Sequence, residues 1–311
     1  MKKYLFFLFA VFFVGCSTKI NLQDFRPTFA PKNPYAPKDL QAHVTKFSLV
    51  KFPPYSYKNL DLSDAAFLEL KSSLISSKFI KIIRIIDKKE IKDEIKAAEL
   101  AQQTGNKTIS ADYILKGKLF NAEYLPIYHK GFYYYVKYKG KKVRKYSPPY
   151  YSYKACVTLA IDILSLPTLK DYYSESYYNC VYYTDNKSYQ VFYPNLLIDS
   201  AKGAADQAYK KIKDLFPPVG YIYELRKNDD KTIAKISLGK NQGIKEGMKL
   251  NVYALQKDSL SGEIEKYPIG KAEVSNLVFD NSAWVVLDTD SKVELGDIVI
   301  PVYQSSFWDW F

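Results

Sequence analysis

The sequence predicts an α+β protein: a mixed or antiparallel sheet covered by helices, followed by a small SH3-like β-barrel. Three observations predict it. Apolar residues alternate between strand and helix periods in the order β-α-β-α-β-β-β-α over residues 41–216. Pro217-Pro218 then interrupts the chain. Beyond it only short alternating runs with turn signals follow, the pattern of a small barrel. The 311 residues leave room for more than one domain of about 100–150. With 47% hydrophobic and 25% charged residues, the chain has the composition of packed cores and not of disorder.

The elements follow in order. Residues 43–52 alternate and carry Val and Phe, predicting a strand that ends at Pro53-Pro54. Asp61 or Ser63 caps a helix whose apolar positions are Phe67, Leu70 and Leu74. Phe79 to Ile86 reads as a buried strand. Asp87 caps a second helix, with Ile91, Ile95 and Ala98 on one face and an end near Gly105. Residues 111–124 form a strand, followed by a Tyr-rich β region to about 193. Asn195 or Asp199 opens a helix carrying Leu197, Ala201, Ala204, Ala208, Ile212 and Leu215. In the last part, 217–303, the expected strands are 219–225, 232–238, 248–256, 268–279, 282–288 and 297–303. Gly239, Gly243 and Gly247 lie between two of these runs and allow tight turns. No Gly-Lys-Ser/Thr accompanies them, which sets a phosphate loop aside.

The N-terminus points to a compartment. Lys2 and Lys3 precede an uncharged run from Tyr4 to Val14. That run is too short for a spanning helix, which needs about 20 residues, and reads as the apolar part of a signal peptide, residues 1–15. It ends in Phe13-Val14-Gly15-Cys16-Ser17, which resembles the bacterial lipobox, with Phe13 where Leu is commonest. The resemblance implies cleavage between Gly15 and Cys16 and a covalent N-acyl diacylglycerol on Cys16. No other cofactor is expected. Ser17 after the cysteine resembles the outer-membrane sorting pattern of Gram-negative lipoproteins. Residues 16–40 then read as anchor and Pro-rich tether, with Pro27, Pro31, Pro34 and Pro37 favouring an extended chain.

Charge and chemistry narrow the function. The formal charge is +12, less two once Lys2 and Lys3 are removed. Export excludes nucleic acid as a partner. Acidic partners in the envelope remain, as does a merely solvated surface. His43 and His129 have no cysteine or histidine at ligand spacing, so no metal site is expected. No nucleophile elbow occurs, and Asp61/Asp64 and Asp87/Glu90 read as helix-start charges. No catalytic residue is assigned, and the expectation is a protein that is not an enzyme.

Two constellations stand out. Thr168 lies midway between Cys156 and Cys180, so a hairpin centred there opposes the two directly. In an oxidising periplasm they form a disulfide; otherwise they are two small apolar residues. The second is the Tyr-rich stretch, with Tyr133, Tyr134, Tyr135 and Tyr138 as interface candidates, since Tyr joins contact area to a polar tip. A pair of membrane-spanning hairpins is the sharper alternative. Pro148-Pro149 and the cations Lys139, Lys141, Lys142, Arg144 and Lys145 speak against it. Trp308 and Trp310, in the aromatic tail 304–311, either meet a partner or membrane interface or pack on their own domain.

Phe79-Ile80-Lys81-Ile82-Ile83-Arg84-Ile85-Ile86-Asp87 and Ala111-Asp112-Tyr113-Ile114-Leu115-Lys116-Gly117, with the strand order, resemble the curli-secretion lipoprotein CsgG family. That domain type is shared with the middle domain of flagellar assembly protein T and the N-terminal domain of the translocation protein TolB. Residues 233–253, from Ile233 to Tyr253, and Glu294-Leu295-Gly296-Asp297-Ile298-Val299 resemble the C-terminal domain of flagellar assembly protein T. The resemblances imply a periplasm-facing outer-membrane lipoprotein, lipid-anchored, that acts as a scaffold beside envelope or flagellar proteins and can form homo-oligomers. A secretion-channel component is the alternative.

Overall fold

A computed structural model describes residues 18–78, 80–105, 110–289 and 292–302. The chain divides into two compact units. One is formed by Val44–Pro217, and the other joins the chain up to His43 with the chain from Pro218 onward. The N-terminal segment contributes a short strand, β1 (Arg26–Pro27), to the second of these.

In the unit Val44–Pro217, β2 (Thr45–Val50) is followed by a small hairpin, β3 (Ser56–Tyr57) and β4 (Leu60–Asp61). Then come α1 (Leu62–Ser76), β5 (Ile80–Ile86), α2 (Ile91–Thr104), β6 (Tyr113–His129), β7 (Phe132–Tyr138), β8 (Lys141–Ser147), β9 (Tyr150–Ser165), β10 (Asp171–Asp185) and α3 (Pro194–Leu215). The sheet order is β10-β9-β6-β2-β5. β2 runs parallel to β5 and β6, and the other pairs are antiparallel.

Local chemistry sets the helix ends. The Asp61 carboxylate accepts the Asp64 N–H at 3.0 Å and caps α1. Gly105, at φ 69°, closes α2 in the left-handed conformation that a side chain resists. α3 opens at Pro194, one residue before the earliest expected start, because its fixed φ suits the first helical position. Alternation in β2 points Phe47 and Leu49 into the main core. There they meet Leu62, Ala66, Leu70 and Leu74 of α1, Leu159, Ile161 and Ile163 of β9, and the Ala201, Ala204, Ala205 and Ala208 stripe of α3. The opposite face holds Val50, Ile86, Ile114 and Leu164 with Ile91. Beside them the buried Glu94 of α2 is satisfied by Ser48 Oγ at 2.8 Å and Arg84 at 3.2 Å.

The second unit contains β11 (Gly220–Lys227), β12 (Thr232–Ile236), β13 (Lys249–Lys257), β14 (Ile264–Val278), β15 (Ala283–Asp288) and β16 (Ile298–Pro301). They form a closed antiparallel barrel in the order β11-β12-β15-β14-β13-β16, completed by Gly220↔Val299 and Tyr221↔Ile298. Ile222, Ile236, Leu250, Val252, Val274 and Val285 fill it. A Cβ on Gly239 would lie 2.4 Å from the Phe279 carbonyl, so only Gly lets these two backbone segments meet.

The expected fold class is therefore corrected. Among the described residues the chain is mostly β, with 47% strand against 22% helix, and it contains a closed six-stranded antiparallel barrel rather than a helix-covered sheet plus a small SH3-like appendage. The reason lies in the Tyr-, Val- and Ile-rich stretch from 113 to 185, which is strand almost throughout, with 17, 16 and 15 residues in β6, β9 and β10. From Glu123 onward β6 holds no buried residue.

The segment read as a tether is packed over its described part. Ile20 and Phe25 are buried against Ile233 and Trp284, and β1 pairs with β11 through Arg26↔Lys227. The buried Asn33 donates to Asp297 Oδ1 at 3.0 Å and to the Leu255 carbonyl at 3.1 Å. The prolines sit between these attachment points. His43, expected inside the first strand, instead pairs its backbone with Val219.

Candidate interaction surface

β6 and β9 do not end at the sheet. Their pairing reaches His129↔Tyr150 and resumes, without a slip in register, at Phe132↔Ser147 between β7 and β8. This places Lys130-Gly131 across from Pro148-Pro149. Proline has no N–H to donate, so the ladder stops there and the tip forms a separate two-stranded ribbon. Lys139 (φ 48°) and Gly140 (φ 77°) close it, both with positive φ, as a two-residue hairpin turn requires.

The ribbon has two faces. On one, Arg144 lies 3.7 Å from the Tyr133 ring centre and Lys142 lies 4.7 Å from that of Tyr135, diagonal pairs that align the cations over the rings. On the other lie Phe132, Tyr134, Val136, Tyr138 and Val143, with Lys141 and Lys145. Between Lys130 and Ser147 the sequence holds six lysines, one arginine and no Asp or Glu. Among the described residues none of these cations pairs with a carboxylate. Tyr133, Tyr135 and Tyr138 are about three-fifths exposed, at 59%, 58% and 64%, so the four tyrosines expected at an interface are surface groups of one element.

The root of the arm explains other tyrosines. Tyr124 Oη donates to the Val191 carbonyl at 3.1 Å and accepts the Tyr193 N–H at 3.0 Å. Tyr153 Oη accepts the Val191 N–H at 2.9 Å. These hydroxyls satisfy the backbone of the loop leading into α3. Burial pushes the Tyr124 hydroxyl above its ordinary pKa. Tyr193 donates to the Asp185 carboxylate, which that bond, helped by Lys187, holds below the usual carboxylate range. His129 stacks on Tyr150 at 4.5 Å and shares a 2.7 Å hydrogen bond with Ser152 Oγ.

Cys156 and Cys180 are disulfide-bonded, directly opposed in the β9–β10 register with Cα atoms 4.1 Å apart. Thr168 lies in the intervening turn, as expected. Gly15, Cys16, Trp308 and Trp310 lie outside the described residues. Among the described residues no helix is long and apolar enough to cross a membrane, and no group of three His, Cys, Asp or Glu side chains could hold a metal ion. The four tyrosines expected at an interface share this element with Phe132, with Arg144, which the sequence offered only as a cation opposing a membrane span, and with Tyr146, which the sequence pattern did not single out. The signal was available in the absence of any acidic residue from 130 to 147.

No family model matches the chain, and neither does any curated protein. Solved structures do show similarity. A neuraminyllactose-binding hemagglutinin homolog from Helicobacter pylori is 12% identical, with a TM-score of 0.33, over 60% of this chain and 91% of that one. PelC from Paraburkholderia phytofirmans, a dodecamer, is 15% identical, with a TM-score of 0.27, over 58% and 93%. A hypothetical protein from Chlamydia trachomatis is 10% identical, with a TM-score of 0.28, over 44% and 73%. At such values these similarities carry no conclusion about fold or function.

Proposed function

We propose that the chain is a non-enzymatic outer-membrane lipoprotein facing the periplasm, anchored through acylated Cys16, that serves as a scaffold in an envelope assembly. The observation that supports this reading is the pinned N-terminal segment. Thr18 donates to Glu273 of the barrel through its hydroxyl at 3.2 Å, and Ile20 N–H donates to Asn276 at 2.8 Å. Two residues span at most about 7 Å, so a lipid on Cys16 would hold the barrel at the membrane surface rather than at the end of a leash. The arm of the other unit supplies contact area. The flagellar assembly is the one that the sequence resemblance implies.

Growth with labelled palmitate tests the anchor: label enters the native chain and not a Cys16→Ala variant. Crosslinking in intact cells, with mass spectrometry of what is captured, tests the scaffold role. Wild-type motility and envelope structure in a deletion strain would remove the flagellar assignment. The secretion-channel alternative has the continuous β6–β9 and β7–β8 arm in its favour, and conductance across planar bilayers would establish it.

A further inference from the structure

We propose that the β7–β8 ribbon docks in the headgroup layer of an anionic phospholipid bilayer. Its Phe132, Tyr134, Val136, Tyr138 and Val143 face would enter the interface, with lysines on the lipid phosphates. The inference deepens the functional reading and rests on it only for the compartment, where a bilayer is at hand.

Charge complementarity selects the occupant. Seven cations and no carboxylate lie between Lys130 and Ser147. A second copy of the ribbon alongside would bring like charges together at strand spacing, about 4.8 Å. An anionic lipid surface instead attracts each cation. The aromatic rings add the second argument. Tyr sits favourably at the membrane–water boundary, apolar body inward and hydroxyl in the headgroups. Lys141 and Lys145, on the same face as the rings, have stems long enough to reach back to phosphate. Spanning does not fit. The seven-residue strands of the ribbon are short of the 9–11 residues that a crossing strand needs, and a crossing by the longer arm would carry the ladder break at Pro148-Pro149, with its unpaired backbone, and the ribbon's lysines into the hydrocarbon. The ribbon is therefore interfacial. Its ladder break at Pro148-Pro149 separates it from the sheet, so it can lie on a surface without disturbing the disulfide-bonded body.

The test uses residues 17–311, without acyl chains, and sedimentation with vesicles of phosphatidylcholine alone or mixed equally with phosphatidylglycerol. The chain should partition onto the mixed vesicles, release as salt rises, and ignore the neutral ones. Each cation is worth about fivefold in partition. Changing Lys137, Lys139, Lys141 and Lys142 together to Gln should weaken binding at least a hundredfold, and changing the same four to Arg should retain it. For insertion, Val136→Trp should be quenched by brominated lipid, above the parent's own signal, while Tyr135→Trp on the opposite face should not. Equal binding to neutral vesicles, indifference to the Gln changes, or quenching equal on both faces overturns the proposal. So does vesicle-independent self-association, or capture by heparin with no vesicle partition. Since the chain used carries no anchor, failure here leaves the palmitate result standing, and failure of palmitate labelling leaves this result standing.

Discussion

Replacing both Cys156 and Cys180 with Ala tests the physics of the β9–β10 hairpin. The two are 24 residues apart, and closing a loop of that size removes about 3.5 kcal/mol of denatured-state freedom in the chain-entropy treatment. The hairpin turn and the long ladder already bring the strands together, so the loss should be about 2–3.5 kcal/mol. For a unit of this size, with roughly 2–4 °C of melting temperature per kcal/mol, the midpoint should fall by about 4–14 °C. Thermal melts followed by circular dichroism, with and without reductant, measure it. The oxidised native protein should melt highest, and the native protein with reductant should coincide with the double variant. A shift under about 2 °C would refute the loop-closure reasoning, and both thiols free in periplasmic material would remove its premise.

Further outcomes follow from single contacts. Gly239→Ala should destabilise the barrel by more than about 2 kcal/mol, because the added methyl meets backbone atoms of Phe279, Asp280 and Ser282 that cannot rotate away; denaturant melts check it. Asn33→Ala should cost about 1–3 kcal/mol by leaving Asp297 without its amide partner, and limited proteolysis should then cut within residues 28–40. Burial holds the Asp297 carboxyl above its ordinary pKa, despite hydrogen bonds from Glu294 and Asn33 that favour the charge. The barrel should therefore be helped by this group at acid pH and lose that help as pH rises through the raised value; Asp297→Asn should flatten that slope in melts at pH 4 and pH 7. Asp185 has the opposite sign. Its depressed carboxyl contributes above the ordinary range and is lost as pH falls, and Tyr193→Phe should move its titration, read by NMR, back toward the usual value.

Much of the secondary structure was legible because its causes are local. Leu70 and Leu74 at helical spacing, the Asp61 cap, Gly105 and the Pro217-Pro218 break each act within a few residues. The Cys156–Cys180 pair was legible for the same reason, since hairpin register is set by the position of its turn. The tether was misread because Pro27, Pro31, Pro34 and Pro37 report backbone stiffness alone. What holds that segment is Ile233, Trp284 and Asp297, more than 190 residues away in sequence. The fold class was misjudged because a count of segments gives no weight to their length or to closure of the last sheet.

For the candidate surface, the amino-acid order alone determined its chemistry: cations and aromatic rings without a carboxylate, alternating along two strands joined at Lys139-Gly140. Tertiary structure alone decided that these strands continue β6 and β9 in one register, that the prolines fall opposite Lys130-Gly131, and that the barrel claims the N-terminal segment. Composition and alternation are properties of neighbours along the chain. Register across a sheet, barrel closure and the packing of a distant segment depend on contacts between residues far apart, and these exist only once the chain has folded.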